Sequence, residues 1–289
     1  MLKQRYEPMI INSNVYKDYR DNILVDKDNP VLAFKANRDR YFENGKQDIY
    51  AGLSHLGSIN SEDAITWNLI RSLSLNNDFS SIENLLNINL NNPKVLLWTL
   101  SFSNNSDKLQ YIVGSTIRTI DGKHKGQITE PDIIIETDNH FIVIECKLGE
   151  YGKYPNHLWE CSKESKGPEI RHNNYFNNNL FTGELGYNDN SYQLFRMAFY
   201  AYEIGKKLNK KPVLVSLTNK SWWNKKRRDN TTPNKLWKVF TDQVNQKLLE
   251  MKNIFWQDIH FKNNDKLEDY MMNHRCLHDI NTLPNNVKK

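Results

Sequence analysis

Cysteine is scarce in this chain: Cys146, Cys161 and Cys276 are the only three among 289 residues. An odd, sparse set implies no disulfide framework and makes a reducing cytoplasm the expected compartment. No apolar run approaches the roughly 18 residues that a membrane helix needs, and Met1-Leu2-Lys3-Gln4-Arg5 lacks the apolar core of a signal peptide. No membrane association is therefore expected. Long disordered tracts are not expected either: hydrophobic residues make up 38% of the chain, and a mean hydropathy of -0.73 describes a polar but globular protein. A net charge of +5 permits a polyanionic partner without requiring one.

What the chain does have is a patterned stretch from Glu130 to Lys147. Two short apolar segments, Ile133-Ile134-Ile135 and Phe141-Ile142-Val143-Ile144, flank Asp138-Asn139. Asp and Asn favour two-residue hairpin turns because they tolerate positive φ. With that turn, Ile135 faces Ile142, Ile133 faces Ile144 and Asp132 faces Glu145. Directly opposed residues share a sheet face with Cβ atoms about 5 Å apart, and Lys147 joins the same face two residues on. The same register sets Glu130 opposite Lys147, where it could tune the lysine. Cys146 points to the other face, toward the core. Two opposed carboxylates repel, and a hard divalent cation with oxygen ligands relieves that repulsion. The competing reading is a solvated hairpin end with an ion pair to Lys147.

Upstream, Ile65, Leu69 and Leu73 recur at helical spacing and predict a helix over about 61–75. Asn60 or Ser61 can cap it, and Glu62 and Asp63 suit its positive end. Glu62 also continues the apolar stripe, so it either serves the helix dipole or brings a third carboxylate to the hairpin. Residues 82–101 read as a second helix or apolar segment. Leu109–Val113 and Ser115–Thr119 carry strand signals, which with the hairpin predict three consecutive strands over 109–148. Residues 149–190 form a polar insertion with aromatic and basic side chains. A helix over 191–208 carries Gln193 and Arg196 on a polar stripe, and Val213–Thr218 is an apolar strand. The most basic stretch holds Lys220, Lys225, Lys226, Arg227 and Arg228 beside Trp222 and Trp223, a composition suited to a phosphate backbone. A helix is expected from Leu236 to Met251, a strand from Ile254, and a last helix over 265–277. His274, Cys276 and His278 lack the second ligand pair of a zinc finger and do not share one helix face. Together these elements predict an α/β protein. Residues 1–57 form a lead-in packed on the core, with a basic cluster at Lys35, Arg38 and Arg40. Residues 58–220 form the core itself, and 221–289 form a basic, Trp-rich extension of the same domain.

Pro131-Asp132, followed after twelve residues by Glu145-Cys146-Lys147, resembles the signature of the PD-(D/E)xK nuclease superfamily. The stretches Gly52–His55 and Ser61–Asn68 are similar to a bacterial group of restriction-endonuclease-like proteins. The resemblance implies a restriction-endonuclease-like core: a mixed central sheet flanked by helices, ordered helix, three-stranded meander, helix, strand. It implies Mg²⁺, with Mn²⁺ as substitute, held by Asp132, Glu145, the Cys146 carbonyl and Glu62. Lys147 would orient water or stabilise developing charge, and Gln193 would position water or phosphate. The exonuclease-like branch has a tyrosine four residues after that glutamine, where this chain has Met197. The implied activity is hydrolysis of DNA phosphodiesters, of restriction or phage-defence type. Lys220, Trp222, Trp223, Lys225, Lys226, Arg227, Arg228 and Arg196 are the expected DNA contacts. Double-strand cleavage would need two sites, which a homodimer supplies, and a defence role would set a methyltransferase or other defence partner beside the chain. Two other readings stay open: a catalytically silent DNA-binding module on the same fold, and a small-molecule enzyme or interaction protein in which the hairpin is structural.

Overall fold

The computed structural model describes residues 8–12, 14–41, 49–102, 106–122, 130–149, 179–182, 192–226, 230–261 and 264–277. Most of the 149–190 insertion, part of the 44–54 segment, and Arg227 and Arg228 lie outside them. After a small hairpin (β1, Ile10–Ile11; β2, Val15–Tyr16) come helices α1 (Pro30–Arg38), α2 (Glu62–Asn76) and α3 (Ser80–Leu86). Strands β3 (Lys94–Leu97) and β4 (Leu100–Ser101), helix α4 (Asp107–Asp121), then β5 (Ile133–Glu136) and β6 (His140–Lys147) follow. The chain continues through α5 (Tyr192–Leu208), β7 (Lys211–Thr218), α6 (Pro233–Thr241), β8 (Glu250–Phe255) and α7 (Asp265–Asn273). The six larger strands make one mixed sheet in the order β4-β3-β5-β6-β7-β8. Pairing is antiparallel up to β6 and parallel from β6 through β8.

Side-chain alternation along each strand builds two cores, one per sheet face. Ile133, Ile135, Ile142, Ile144 and Cys146 pack with residues of α1, α2, α3 and α7. Ile134, Phe141 and Val143 pack with residues of α4, α5 and α6 on the other side. The fold is therefore α/β, a mixed central sheet flanked by helices. Among the described residues, no helix is long and apolar enough to cross a membrane.

The hairpin register is the expected one: Ile133 pairs with Ile144 and Ile135 with Ile142. Its turn is built differently, because neither Asp138 nor Asn139 takes positive φ. Instead the Thr137 hydroxyl accepts from the His140 N–H at 3.0 Å and the Asn139 N–H at 3.3 Å. Helix α2 begins where expected, with the Ser61 hydroxyl accepting from the Ala64 N–H at 3.1 Å, and ends on Asn77 in the left-handed region at φ 48°.

The strand expected over 109–119 is instead a helix, α4. Its β-branched residues raise local strand preference, but Leu109, Val113, Thr116 and Ile117 fall on one helical stripe and are all buried. The antiparallel neighbour of β5 is instead β3, inside the segment read as helix or apolar run. The helix expected through Met251 stops at Thr241, and β8 starts at Glu250, four residues before the expected strand. The last helix ends at Asn273 rather than 277.

Residues 14–25 are tied to the start of α2 by specific bonds. The Asn22 side-chain amide donates to the Leu56 carbonyl at 2.9 Å and to the Ser58 carbonyl at 2.7 Å. The Trp67 indole N–H donates to the Val25 carbonyl at 3.0 Å. Gly57 sits where these segments touch: a Cβ there would fall 2.8 Å from the Tyr16 carbonyl oxygen. Gly57→Ala is expected to destabilise the protein by about 1–3 kcal/mol, as overpacking does. A urea midpoint equal to that of the wild type would refute this.

Candidate active site

The parallel strands β6 and β7 end side by side, and the polar residues gather at that carboxyl end, where open α/β sheets bind ligands. Carrying the β5–β6 register one pair further places Asp132 opposite Glu145. Across β6 and β7, Glu145 pairs with Ser216 and Lys147 with Thr218. These four residues of β6 and β7 share the face whose deeper positions are Val143 and Leu214.

Each carboxylate has a defined partner. One Asp132 carboxylate oxygen accepts the Cys146 N–H at 2.7 Å. Glu62, in the first turn of α2, accepts the Leu148 N–H at 2.6 Å. The Lys147 ammonium lies 2.8 Å from Glu145 Oε1 and 3.5 Å from Glu62 Oε1. The sequence-predicted quartet Glu62, Asp132, Glu145 and Lys147 therefore comes together from three elements. Glu145 is the deepest, its side chain 4% exposed, against 31% for Glu62.

Backbone geometry explains Pro131 and Cys146. Thr137 donates its N–H to the His140 carbonyl, so even-numbered residues of β6 turn their backbone groups toward β5. The same register sets Pro131 opposite Cys146, and a proline has no N–H to offer the Cys146 carbonyl. Asp132 takes the Cys146 N–H with its side chain. The Cys146 side chain lies in the core on the other face, as expected.

The electrostatics follow first from burial and then from the crowding of like charges. Burial, reinforced by Asp132, pushes the Glu145 carboxyl up to about 8, against the opposing pull of Lys147. Burial pushes Glu62 up to about 7, with Lys147 opposing and Asp132 adding to the rise. Asp132 is also raised, by burial first and then by the Asp63 charge. Burial alone would lower Lys147, but Glu145, Glu62 and Asp132 outweigh it and hold the ammonium well above its usual range. Among the described residues, no three His, Cys, Asp or Glu side chains stand together as a ready-made metal cage. The carboxylates turn instead to the lysine and to backbone N–H groups.

The remaining predicted residues are placed less uniformly. Gln193 stands half-buried in the first turn of α5, and no described hydrogen bond joins it to the quartet. Arg196 is 3% exposed and its guanidinium lies 5.0 Å from the Tyr192 ring centre. It belongs to the interior rather than to a nucleic-acid surface, because the polar stripe of α5 is covered. Lys220 pairs with Asp258 at 2.7 Å. Trp222 is half-buried, against Gly149 and under Lys225, and Trp223 packs edge-on to Phe255. The tryptophans are thus anchored rather than fully exposed, with Lys226 outward. Phe255 pairs with Thr218, which pairs with Lys147. The basic segment therefore begins on the same sheet face as Lys147, two strand spacings or about 10 Å away.

Glu130 does not reach Lys147. It is held by both terminal nitrogens of Arg38 at 2.6 and 2.8 Å, a tie between residues too far apart in sequence to be inferred. Ser216 was also missed: it is fully buried beside Glu145, and its hydroxyl has no hydrogen-bond partner among the described residues. Its only signal is a hydroxyl interrupting the apolar run Val213-Leu214-Val215.

The raised carboxyls set a pH dependence. Glu145 titrates near 4.5 when unfolded and at about 8 when folded, so between those values the folded state holds the extra proton and loses stability as pH rises. Relative to Glu145→Gln, the wild type is expected to lose stability as pH rises from 5 to above 8. Urea midpoints that run parallel for the two proteins across that range would contradict this. No protein-family model, no curated protein and no solved structure matches this chain.

Proposed function

We propose that the protein is a metal-dependent nuclease that hydrolyses DNA phosphodiester bonds, with a restriction-endonuclease-like core. The observation that carries the reading is the convergence of Asp132 and Glu145 with Lys147 at the end of β6, with Glu62 delivered from α2. The residues fit a Mg²⁺ ion chemically. Mg²⁺ takes hard oxygen donors, keeps several waters, and needs only one or two carboxylates together with substrate phosphate. Asp132, Glu145 and the Cys146 carbonyl meet that need, and the raised carboxyls of Asp132 and Glu145 mark a site where added positive charge is favourable.

When bound, the cation supplies charge that polarises the phosphoryl oxygen and lowers the pKa of an attacking water. Asp132 and Glu145 would hold it, with one oxygen of Asp132 fixed by the Cys146 N–H. Glu62, with oxygens on the Leu148 N–H and Lys147, acts through water. Lys147 moves from the carboxylates to the developing charge on the phosphorus oxygens. Gln193 orients water or phosphate from α5. Lys220, Lys225 and Lys226 lead the strand away from the site along the face that Lys147 shares, in a cytoplasmic, defence-related setting. The silent DNA-binding alternative requires salt-sensitive binding without cleavage.

Purified wild type is expected to nick supercoiled plasmid in Mg²⁺ or Mn²⁺ and not in chelator. Asp132→Ala and Lys147→Ala are each expected to lower the rate by at least about a hundredfold, in the range of lost transition-state donors. Cutting by both variants at the wild-type rate would remove the catalytic assignment. Mg²⁺ affinity should rise with pH through 7 to 8, because Glu62 and Glu145 must release protons near 7 and 8.

A further inference from the structure

The basic cluster Lys35, Arg38 and Arg40 was left unexplained by the sequence. Its first two members lie on α1, and α1 meets the candidate site at three separate points. Lys35 is 7% exposed, and its ammonium sits 3.2 Å from Asp63, the residue after Glu62. It also sits 3.0 Å from Asp39 and 4.6 Å from the Trp98 ring centre. Arg38 grips Glu130, two residues before Asp132, through both terminal nitrogens at 2.6 and 2.8 Å. The third point is Trp98 itself, whose N–H donates to the Asp132 carbonyl at 3.1 Å.

Trp98 is held in an unusual conformation. It and Thr99 join β3 to β4 with φ of 52° and 65°, a left-handed pair normally supplied by Asn or Gly. Both are buried, at 1% and 5% exposure, and the Trp98 ring lies 4.6 Å from the Lys35 ammonium and stacks on the Trp67 ring at 6.2 Å and 10°. Left-handed φ at a bulky and a β-branched residue is strained and persists where surrounding contacts over-determine it. Here the turn puts one N–H on Asp132 and one ring under Lys35.

We propose that α1 is a positioning brace for the metal site, in which Arg38 and Lys35 set the separation of Asp132 from Glu62. This rests on the reading of Asp132 and Glu62 as residues of a cation site. Arg38 acts through Glu130 on the entry to β5. Lys35 acts through Asp63 on the first turn of α2, and through Trp98 on the Asp132 backbone. Bidentate pairing suits Arg38 to this task, because a guanidinium fixes both distance and orientation of a carboxylate. Neither cation is offered to substrate: each is spent on carboxylates within the protein.

The test is Mn²⁺ binding by the purified full-length protein, followed by electron paramagnetic resonance of free Mn²⁺, with the melting temperature recorded for every variant. Wild type should bind, and Asp132→Asn should lose binding. Arg38→Ala and Glu130→Ala should each weaken Mn²⁺ binding about tenfold or more, as loss of groups that orient metal ligands does. The double variant should bind no worse than either single one, because both remove the same tie. Lys35→Met should weaken binding, and Lys35→Arg, which keeps the cation, should restore it. If Arg38→Ala is unfolded at the assay temperature, Glu130→Gln and the Lys35 pair decide the matter. Folded Arg38→Ala and Lys35→Met that bind Mn²⁺ within about twofold of wild type would overturn the brace while leaving the cation site standing. A wild type that binds no Mn²⁺, or an Asp132→Asn that binds as wild type, would end the cation reading and the brace with it.

Discussion

Lys147 is the group on which the site depends. Glu62, Asp132 and Glu145 are brought near one another by two strands and a helix start, and the Asp132 charge raises the carboxyls of the other two. Burial raises the carboxyls first, and one ammonium with two backbone N–H groups compensates that rise incompletely. An arrangement of this kind is poor economy for stability alone. On the function proposed above, a cation at the site would take over this compensation and release the lysine.

The sheet makes the crowding possible. Alternation along β5 and β6 sends isoleucines into both cores, so register slippage would turn one set toward the wrong layer. That strong specification carries Asp132, Glu145 and Lys147 onto one face without any contact among them being required. Parallel pairing with β7 then extends the face through Ser216 and Thr218 to the basic segment. Helix α1 holds the chain before Asp132 and after Glu62 by ion pairs. Such partly buried pairs stabilise less than they specify, and here what they specify is a distance.

Much of the site could be read from the residues, for reasons that can be named. Asp132, Glu145 and Lys147 were legible because strand period and a short turn are local rules. Glu62 was legible because it is a carboxylate in line with an apolar stripe at helical spacing. The helix at 107–121 was not legible, since Tyr111, Ile112, Val113, Thr116 and Ile117 favour strands locally. Its partners, buried in the core around α5, decide otherwise. Arg196 was misplaced for a related reason: a cation on a polar stripe reads as surface until the neighbouring element covers it.

By itself, the sequence determined the hairpin register, the helix start at Ser61, the helix and strand that follow the site, and the face shared by its three charged residues. Each of these rests on contacts a few residues apart or on the simple alternation of a strand. Only the tertiary structure decided that Glu130 belongs to Arg38 across 92 residues, that Glu62 reaches the Leu148 N–H across 86, and that the tryptophans of the basic segment are anchored. Charged groups choose partners by distance and burial in space, and no local period encodes either.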